Sequence, residues 1–304
     1  MRNTFAQEIT RLSIKNKKIV LLAGDIGNKL FNKFKDKSKN RFFNCGVAEA
    51  NMSTVAAGLA YSGLIPITYT IASFNTYKIV EQIKLDICYP NLPVIIVGVG
   101  SGLSYSSLGT THHSIEDIAT LRGFPNLQIV CPADSLELKK LIPEIIKSKK
   151  PTYLRIGKKN EKNVYKNTCK SRLYEPTIVQ KGKHICIFST GNILFNIMEA
   201  AKLLENKIKP QIINIHTIKP INSMKIVKLL KKFKKIIIIE EHNGLGGLGS
   251  IIMEIAGKYK TQNDFININT GNKFLEGMGD LKAARKKLNM DSVSISKIIL
   301  KLSK

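Results

Sequence analysis

Two consecutive α/β domains are predicted, a parallel-sheet domain followed by a smaller mixed-sheet one, and three observations predict them. Apolar runs such as Ile19-Val-Leu-Leu-Ala23 and Pro93-Val-Ile-Ile-Val-Gly-Val99 are too continuous for a sheet with a solvated face. Helix-like segments alternate with those runs, as crossover connections require. A polar, aperiodic stretch then splits the series in two.

The elements come in order. A helix from about Asn3 to Ile14 precedes the strand 19–23. Strand Phe42–Asn44 leads into a helix carrying Glu49 and rich in small residues (Ala56, Ala57, Gly58, Ala60) that pack closely on several sides. Strand Ile65–Thr70, helix Tyr77–Cys88 and strand Pro93–Val99 come next, followed by a glycine- and serine-rich loop from Gly100 to Thr111. Helix Ser114–Arg122, strand Leu127–Val130, helix Ser135–Lys147 and strand Thr152–Ile156 complete the first domain, residues 1–160. Residues 161–178 read as a linker, continuing the polar run Lys158, Lys159, Asn160, Glu161, Lys162, Asn163. The second domain, 179–304, runs strand 185–189, helix 193–204, strand 211–215, helix 224–230, strand 236–240, helix 248–258 and strand 265–269, and ends in helices 281–288 and 294–302.

The net charge of +26 raises the question of nucleic acid. Only seven of the 48 basic residues are arginines, the rest being lysines spread along the chain, and there is no Trp. Recognition of nucleic acid favours arginine forks and stacking aromatics, so the charge is assigned to solvated faces and no nucleic-acid partner is expected. No apolar run of about 18 residues occurs, so no membrane span is expected. The start, Met1-Arg-Asn-Thr-Phe-Ala-Gln-Glu8, lacks the apolar region of a signal peptide, and the five cysteines form no Cys-x-x-Cys pair, which together fit a cytoplasmic protein with reduced thiols.

Several residues carry possible chemistry. Glu49 is a carboxylate at the mouth of an otherwise apolar helix: either it favours the helix dipole, or it is a buried acid that needs a partner. Phe74 comes after a strand at the carboxyl edge of the sheet, where a core aromatic is the plain alternative. His112, in Thr110-Thr-His-His113, lies in the loop after the most apolar strand, where ligands bind in open parallel sheets. Glu116 and Asp117 are expected to cap the next helix. Arg155, flanked by Leu154 and Ile156, calls for a partner; Lys158 reads as solvated charge. Gly244-Leu-Gly246-Gly247-Leu-Gly249 matches the dinucleotide fingerprint, but Glu240-Glu241 just before it would set negative charge against a pyrophosphate, so a tight strand-to-helix turn is expected.

Taken together, segments in order along nearly the whole chain resemble the transketolase-like, thiamine diphosphate-dependent enzymes. Phe43-Asn-Cys-Gly-Val-Ala-Glu49-Ala-Asn-Met52 is similar to the segment holding the family's catalytic glutamate, Gly109-Thr-Thr-His112 to its threonine-histidine loop, and Leu127-Gln-Ile-Val-Cys-Pro-Ala-Asp134 to its proline-alanine-aspartate stretch. Ile239-Glu-Glu-His242 and Gly246-Gly-Leu-Gly249 resemble its carboxy-terminal domain. The resemblance covers only the pyrimidine-binding and carboxy-terminal domains. The family's Gly-Asp-Gly metal motif has no counterpart, since Gly24-Asp25 and Gly279-Asp280 are each followed by another residue.

The resemblance therefore implies one subunit of a split transketolase, a transferase moving a two-carbon ketol unit between sugars or sugar phosphates. It implies an N-terminal, diphosphate-binding partner subunit, an α2β2 heterotetramer, and thiamine diphosphate with Mg2+ (or Ca2+) held mainly by that partner, this chain supplying no metal ligand. Glu49 would share a proton with N1′ of the cofactor's aminopyrimidine, and Phe74, or failing it Tyr77, would stack on that ring. Asp25 would lie near the cofactor, His112 would act in catalysis on substrate oxygens, and Arg2 and Lys158 would bind a sugar phosphate, with Lys in place of an expected Arg. Leu108 stands where transketolases proper carry an acid that reads the donor's hydroxyls, which implies a specialised sugar. A deoxyxylulose-phosphate synthase-like subunit, a 2-oxoacid dehydrogenase β-type subunit and a non-catalytic assembly partner are the alternatives.

Overall fold

The computed structural model describes residues 1–303 except 160, 167, 205 and 206; Asn160, counted above in the polar run, lies outside the described residues. Among the described residues, twelve strands form two sheets. Six strands come first: β1 (Ile19–Ala23), β2 (Phe42–Asn44), β3 (Ile65–Ile71), β4 (Ile95–Val99), β5 (Gln128–Val130) and β6 (Thr152–Ile156). Beyond them lie β7 (Thr177–Gln180), β8 (Ile185–Ser189), β9 (Gln211–Asn214), β10 (Thr217–Lys219), β11 (Lys235–Ile239) and β12 (Asp264–Ile268). The first sheet has the order β10-β5-β6-β4-β3-β1-β2 and the second β12-β11-β8-β9-β7. Strands β1 to β6 are mutually parallel wherever they pair. Only the edge strands β10 and β7 run antiparallel to their neighbours. Two α/β domains, one mostly parallel and one mixed, are thus the architecture.

The residues explain the layers. Every side chain of β1, β4, β6 and β8 is buried, so these strands are covered on both faces. One face of the first sheet packs Val20, Leu22 and Ile96 against Met52, Ala56, Ala57 and Ala60 of the helix Glu49–Tyr61. Those four recur at helical spacing, and the alanines let the helix axis approach the sheet. The other face packs Leu21, Ile67 and Val97 against Phe5 and Ile9 of the helix Arg2–Lys15 and Leu138 and Leu141 of the helix Ser135–Ser148. The second sheet is closed by the helices Leu194–Leu203 and Ser292–Ser303 through Ile197, Ala200, Ile295 and Ile299.

Two features tie the polar stretch and the second domain to the first. Strand β10 lies beyond the second domain's β9 in sequence, yet it extends the first sheet, pairing Thr217 with Val130. The polar stretch is docked: Val164 and Tyr165 donate their amides to Asp134 at 2.8 and 2.9 Å, and the Tyr165 hydroxyl donates to Glu137 at 3.0 Å. Glu137 is fully buried and also accepts both 2.9 Å bonds from the Asn214 amide of the second domain. Its apolar neighbours would make a lone carboxylate costly, and further donors from Ala133 and Ser171 complete its saturation. The expected helix Ser114–Arg122 begins later, at Asp117, because Ser114 forms a backbone bridge with Gly102.

No helix among the described residues is long and apolar enough to cross a membrane.

Candidate active site

Parallel strands deliver the loops at their carboxyl ends to one edge of their sheet. Asp25 comes after β1, Glu49 after β2, Phe74 after β3, His112 in the loop after β4, and Lys158 after β6. Arg2 reaches the same edge by another route: the helix Arg2–Lys15 runs towards the start of β1, so its own first turn returns to the opposite end. Asp25, Glu49, Phe74, His112, Lys158 and Arg2 therefore belong to one pole of the first domain.

Four of them, Glu49, Phe74, His112 and Lys158, connect in a row through Lys78 and Tyr105. The Glu49 side chain is only 1 % exposed and its Oε2 accepts from the Lys78 ammonium at 2.6 Å. That ammonium stands 5.5 Å from the centre of the Phe74 ring. Phe74 meets His112 edge-on, centroids 5.3 Å apart, and His112 lies 5.8 Å from Tyr105. The Lys158 ammonium sits 4.1 Å over the Tyr105 ring. The tight turn at Gly100 (φ +88°) makes this possible: a Cβ there would fall 2.0 Å from the Tyr105 ring. Lys158 also borders a cleft of about 660 Å³ whose far wall includes Asn192, Asn196 and Arg285 of the second domain.

Burial, then the nearby Lys158 and His113, lowers the His112 pKa, so the imidazole is neutral near pH 7. Its Nδ1 lies 2.9 Å from the Thr111 hydroxyl. Lys158 is itself lowered by burial and by the charges of Lys159 and Arg2, which marks a locally electropositive pole. One Arg2 nitrogen, Nε, is buried without a hydrogen-bond partner in the protein.

Asp25 and Tyr77 stand apart from the row. Asp25 is exposed and bound to Asn44, which donates to its Oδ1 at 2.9 Å and accepts from its amide at 3.1 Å. The same Asn44 oxygen accepts from Gly46, so Asp25 braces the turn that presents Glu49. The Tyr77 hydroxyl donates to Glu116 at 2.9 Å, and its ring lines a different cleft with Thr110 and His113. Local sequence does not mark Lys78 or Tyr105 by residue type. A signal exists for Lys78 in its spacing: it stands four residues after Phe74 and so falls on the same side of a helical turn.

Asp117 corrects an expectation. It caps no exposed helix start; it is fully buried, taking the Arg155 Nε and the Tyr153 hydroxyl at 2.7 Å each. Arg155, 2 % exposed, continues to the carbonyls of Ser114 at 2.7 Å and Glu241 at 3.1 Å, so the partner it called for is a junction between domains. The glycine turn is likewise settled by geometry. The Glu240 carboxylate accepts from the amides of Leu248 at 2.6 Å and Gly249 at 2.8 Å, filling the helix N-terminus where a pyrophosphate would bind.

The pole fits an aminopyrimidine in its donor set. A shielded carboxylate with one oxygen engaged by a half-exposed lysine is linked through that lysine to a partly exposed aromatic ring, which suits a flat heterocycle with a basic nitrogen at its edge. No cluster of three or more His, Cys, Asp or Glu suited to a metal ion occurs among the described residues.

Comparison with known proteins gives the family of the chain. The family model "Transketolase, pyrimidine binding domain" matches residues 1–163, and "Transketolase, C-terminal domain" matches 175–270. One subunit of an apulose-4-phosphate transketolase from Actinobacillus succinogenes is 32% identical over 87% of this chain and 85% of its own length. A putative transketolase C-terminal section from Methanocaldococcus jannaschii is 30% identical over 99% and 95% respectively. Among solved structures, a split-gene transketolase in the form of an inactive β4 tetramer superposes with a TM-score of 0.87 at 28% identity, covering 99% of this chain and 97% of that one.

Proposed function

The chain belongs to the transketolase family, and from that premise we propose that it is the pyrimidine-binding subunit of a two-chain, thiamine diphosphate-dependent transketolase that moves a ketol unit between sugar substrates. The observation that carries this is the shielded Glu49 carboxylate linked through Lys78 to Phe74, with neutral His112 beyond. Relatives of nearly the same extent bear names of transketolase subunits or sections, which supports the split arrangement.

When bound, the cofactor supplies a carbon nucleophile that the protein side chains lack. Glu49 holds and returns a proton at the ring nitrogen N1′, a role that requires exclusion of water, and its burial supports it. Phe74 gives the stacking face; Tyr77 is the lesser candidate because its hydroxyl is committed to Glu116. Neutral His112 donates to or accepts from substrate oxygens, and Arg2 with Lys158 draws the anionic end of the sugar. Asp25 keeps the Glu49 turn in place. The diphosphate and its Mg2+ fall to an N-terminal partner in an α2β2 assembly in the cytoplasm. Exposed Phe43, Val47, Val55 and Tyr61 on and before the Glu49 helix are apolar surface suited to cover by that partner. The domains proposed are 1–160 and 179–304, with 161–178 between them.

The test is Glu49→Gln in the complex isolated through a tag on this chain. Assembly should persist while turnover falls about 10²–10⁴-fold, the range for a removed acid–base group. Unchanged turnover would refute the role. Calorimetry on the chain alone should show weak binding of thiamine diphosphate with Mg2+; tight binding would contradict the two-chain arrangement.

A further inference from the structure

We infer that Lys78 is a placeholder: its ammonium occupies the space that the cofactor's ring must enter, so cofactor binding is an exchange in which Lys78 leaves Glu49. This rests on the function proposed above. The geometry is direct. The ammonium lies 2.6 Å from Glu49 and 5.5 Å from the Phe74 centroid, between the two groups that would grip the ring. Among the described residues it is the only side chain bonded to the Glu49 carboxylate.

The two partners differ in freedom. Glu49 is fixed at the first residue of its helix and shielded, whereas the Lys78 side chain is half exposed at 50 %. The Lys78 backbone is held, because Tyr77 donates to the Ser73 carbonyl and Ile79 to that of Thr76. Only the four-carbon stem needs to turn for the ammonium to reach solvent, and that motion is fast and local. A shielded carboxylate without a partner is strongly unfavourable, so some cation or donor must stand there before the ring does. Lys78 fills that need in the unloaded chain, at the expense of competing with the ring afterwards.

Lysine labelling read by mass spectrometry tests this without measuring activity. In the chain alone, Glu49→Gln should raise the labelling rate of Lys78 several-fold and leave distant lysines unchanged; no change would refute the ion pair. In the isolated complex, adding thiamine diphosphate and Mg2+ should again raise Lys78 labelling. A fall would show that Lys78 is a cofactor ligand and overturn the exchange. Lys78→Met should bind the cofactor about tenfold more tightly, the value of one charge-assisted hydrogen bond, and Lys78→Arg should restore the weaker binding. Weaker binding by the Met variant would overturn the proposal. If the complex binds no thiamine diphosphate while Glu49→Gln still frees Lys78, the proposed function fails and the ion pair stands.

Discussion

Removing the Asp117 carboxylate should expose how much the domain junction depends on one buried charge. Asp117 is 0 % and Arg155 2 % exposed, with Nε and Oδ2 2.7 Å apart. In Asp117→Asn the guanidinium keeps the Ser114 and Glu241 carbonyls but loses its counter-charge in a site closed to water. Breaking such a pair by removing one partner costs about 3–5 kcal/mol, which for domains of this size lowers Tm by roughly 10 °C. Burial by itself would raise the Asp117 pKa, but Arg155, His242 and the bonds from Arg155 and Tyr153 together hold it below the ordinary 3.8. A carboxyl lowered in the folded state stabilises above its unfolded pKa and loses that stabilisation as pH falls through the folded value. Urea unfolding should therefore show a deficit that is constant from about pH 5 to 8 and shrinks below about pH 4. Asp117→Leu combined with Arg155→Met should recover part of the loss, the remainder being the Tyr153 hydroxyl, the Ile118 amide and the Ser114 and Glu241 carbonyls left without their side-chain partners. A deficit under about 1 kcal/mol for the single variant, or no recovery in the double, would refute the charge-pair account.

Glu240 and His242 lie two residues apart and should shift stability in opposite senses. Burial pushes the Glu240 pKa up to about 7 from 4.5, against the two amides that bond it, so stability is withdrawn as pH rises through that interval. In Glu240→Gln, stability should rise by roughly 3 kcal/mol more between pH 5 and 8 than in the native chain; equal slopes would mean the amides hold the group ionised. Burial lowers His242 to about 4 from 6.5, so the unfolded chain takes up the proton first and stability is lost as pH falls through that range. His242→Asn should blunt acid unfolding there by a similar amount, read in the same urea series. Leu108, 51 % exposed in the loop carrying His112, should limit donor choice: Leu108→Asp is expected to raise kcat/KM for ordinary ketose phosphates about tenfold, one hydrogen bond's worth, and an unchanged value would mean that position 108 does not read the donor.

The parts of the fold legible in the sequence are those where burial is two-sided. Strands β1, β4, β8 and β11 are mainly apolar runs because both faces are covered, and each is found where such a run stands. Strands β7 and β10 are not legible because edge strands carry no such run: β7 is part-exposed along its length, and β10 has three residues ending in Lys219. Their partners are also distant, so local pattern does not specify them. The same distinction applies at the candidate site. Glu49, Phe74 and His112 are marked by local sequence and by their place after a strand. The Lys78–Glu49 pair joins residues 29 apart, and Arg155–Asp117 residues 38 apart. Such pairs exist only once the sheet has brought two connections together, which is why Asp117 reads locally as a helix cap.

The second domain, finally, bears on the His112 loop although it contributes none of the row from Glu49 to Lys158. The Gly100–Thr111 loop is pinned at several points. Gly102 bridges Ser114, and a Cβ on Gly102 would meet Glu241 of the second domain at 2.7 Å. Arg155 ties the Ser114 and Glu241 carbonyls to a single guanidinium. Further along, the Thr110 hydroxyl donates to the Leu275 carbonyl at 3.3 Å, and Ser73, beside Phe74, donates to that of Thr111 at 3.1 Å. The imidazole of His112 is thus positioned by a loop clamped between the exit of β3 and the second domain. Loosening the junction at Arg155 should consequently be felt at His112 before it is felt at Glu49, whose turn is braced by Asn44 and Asp25 within the first domain alone.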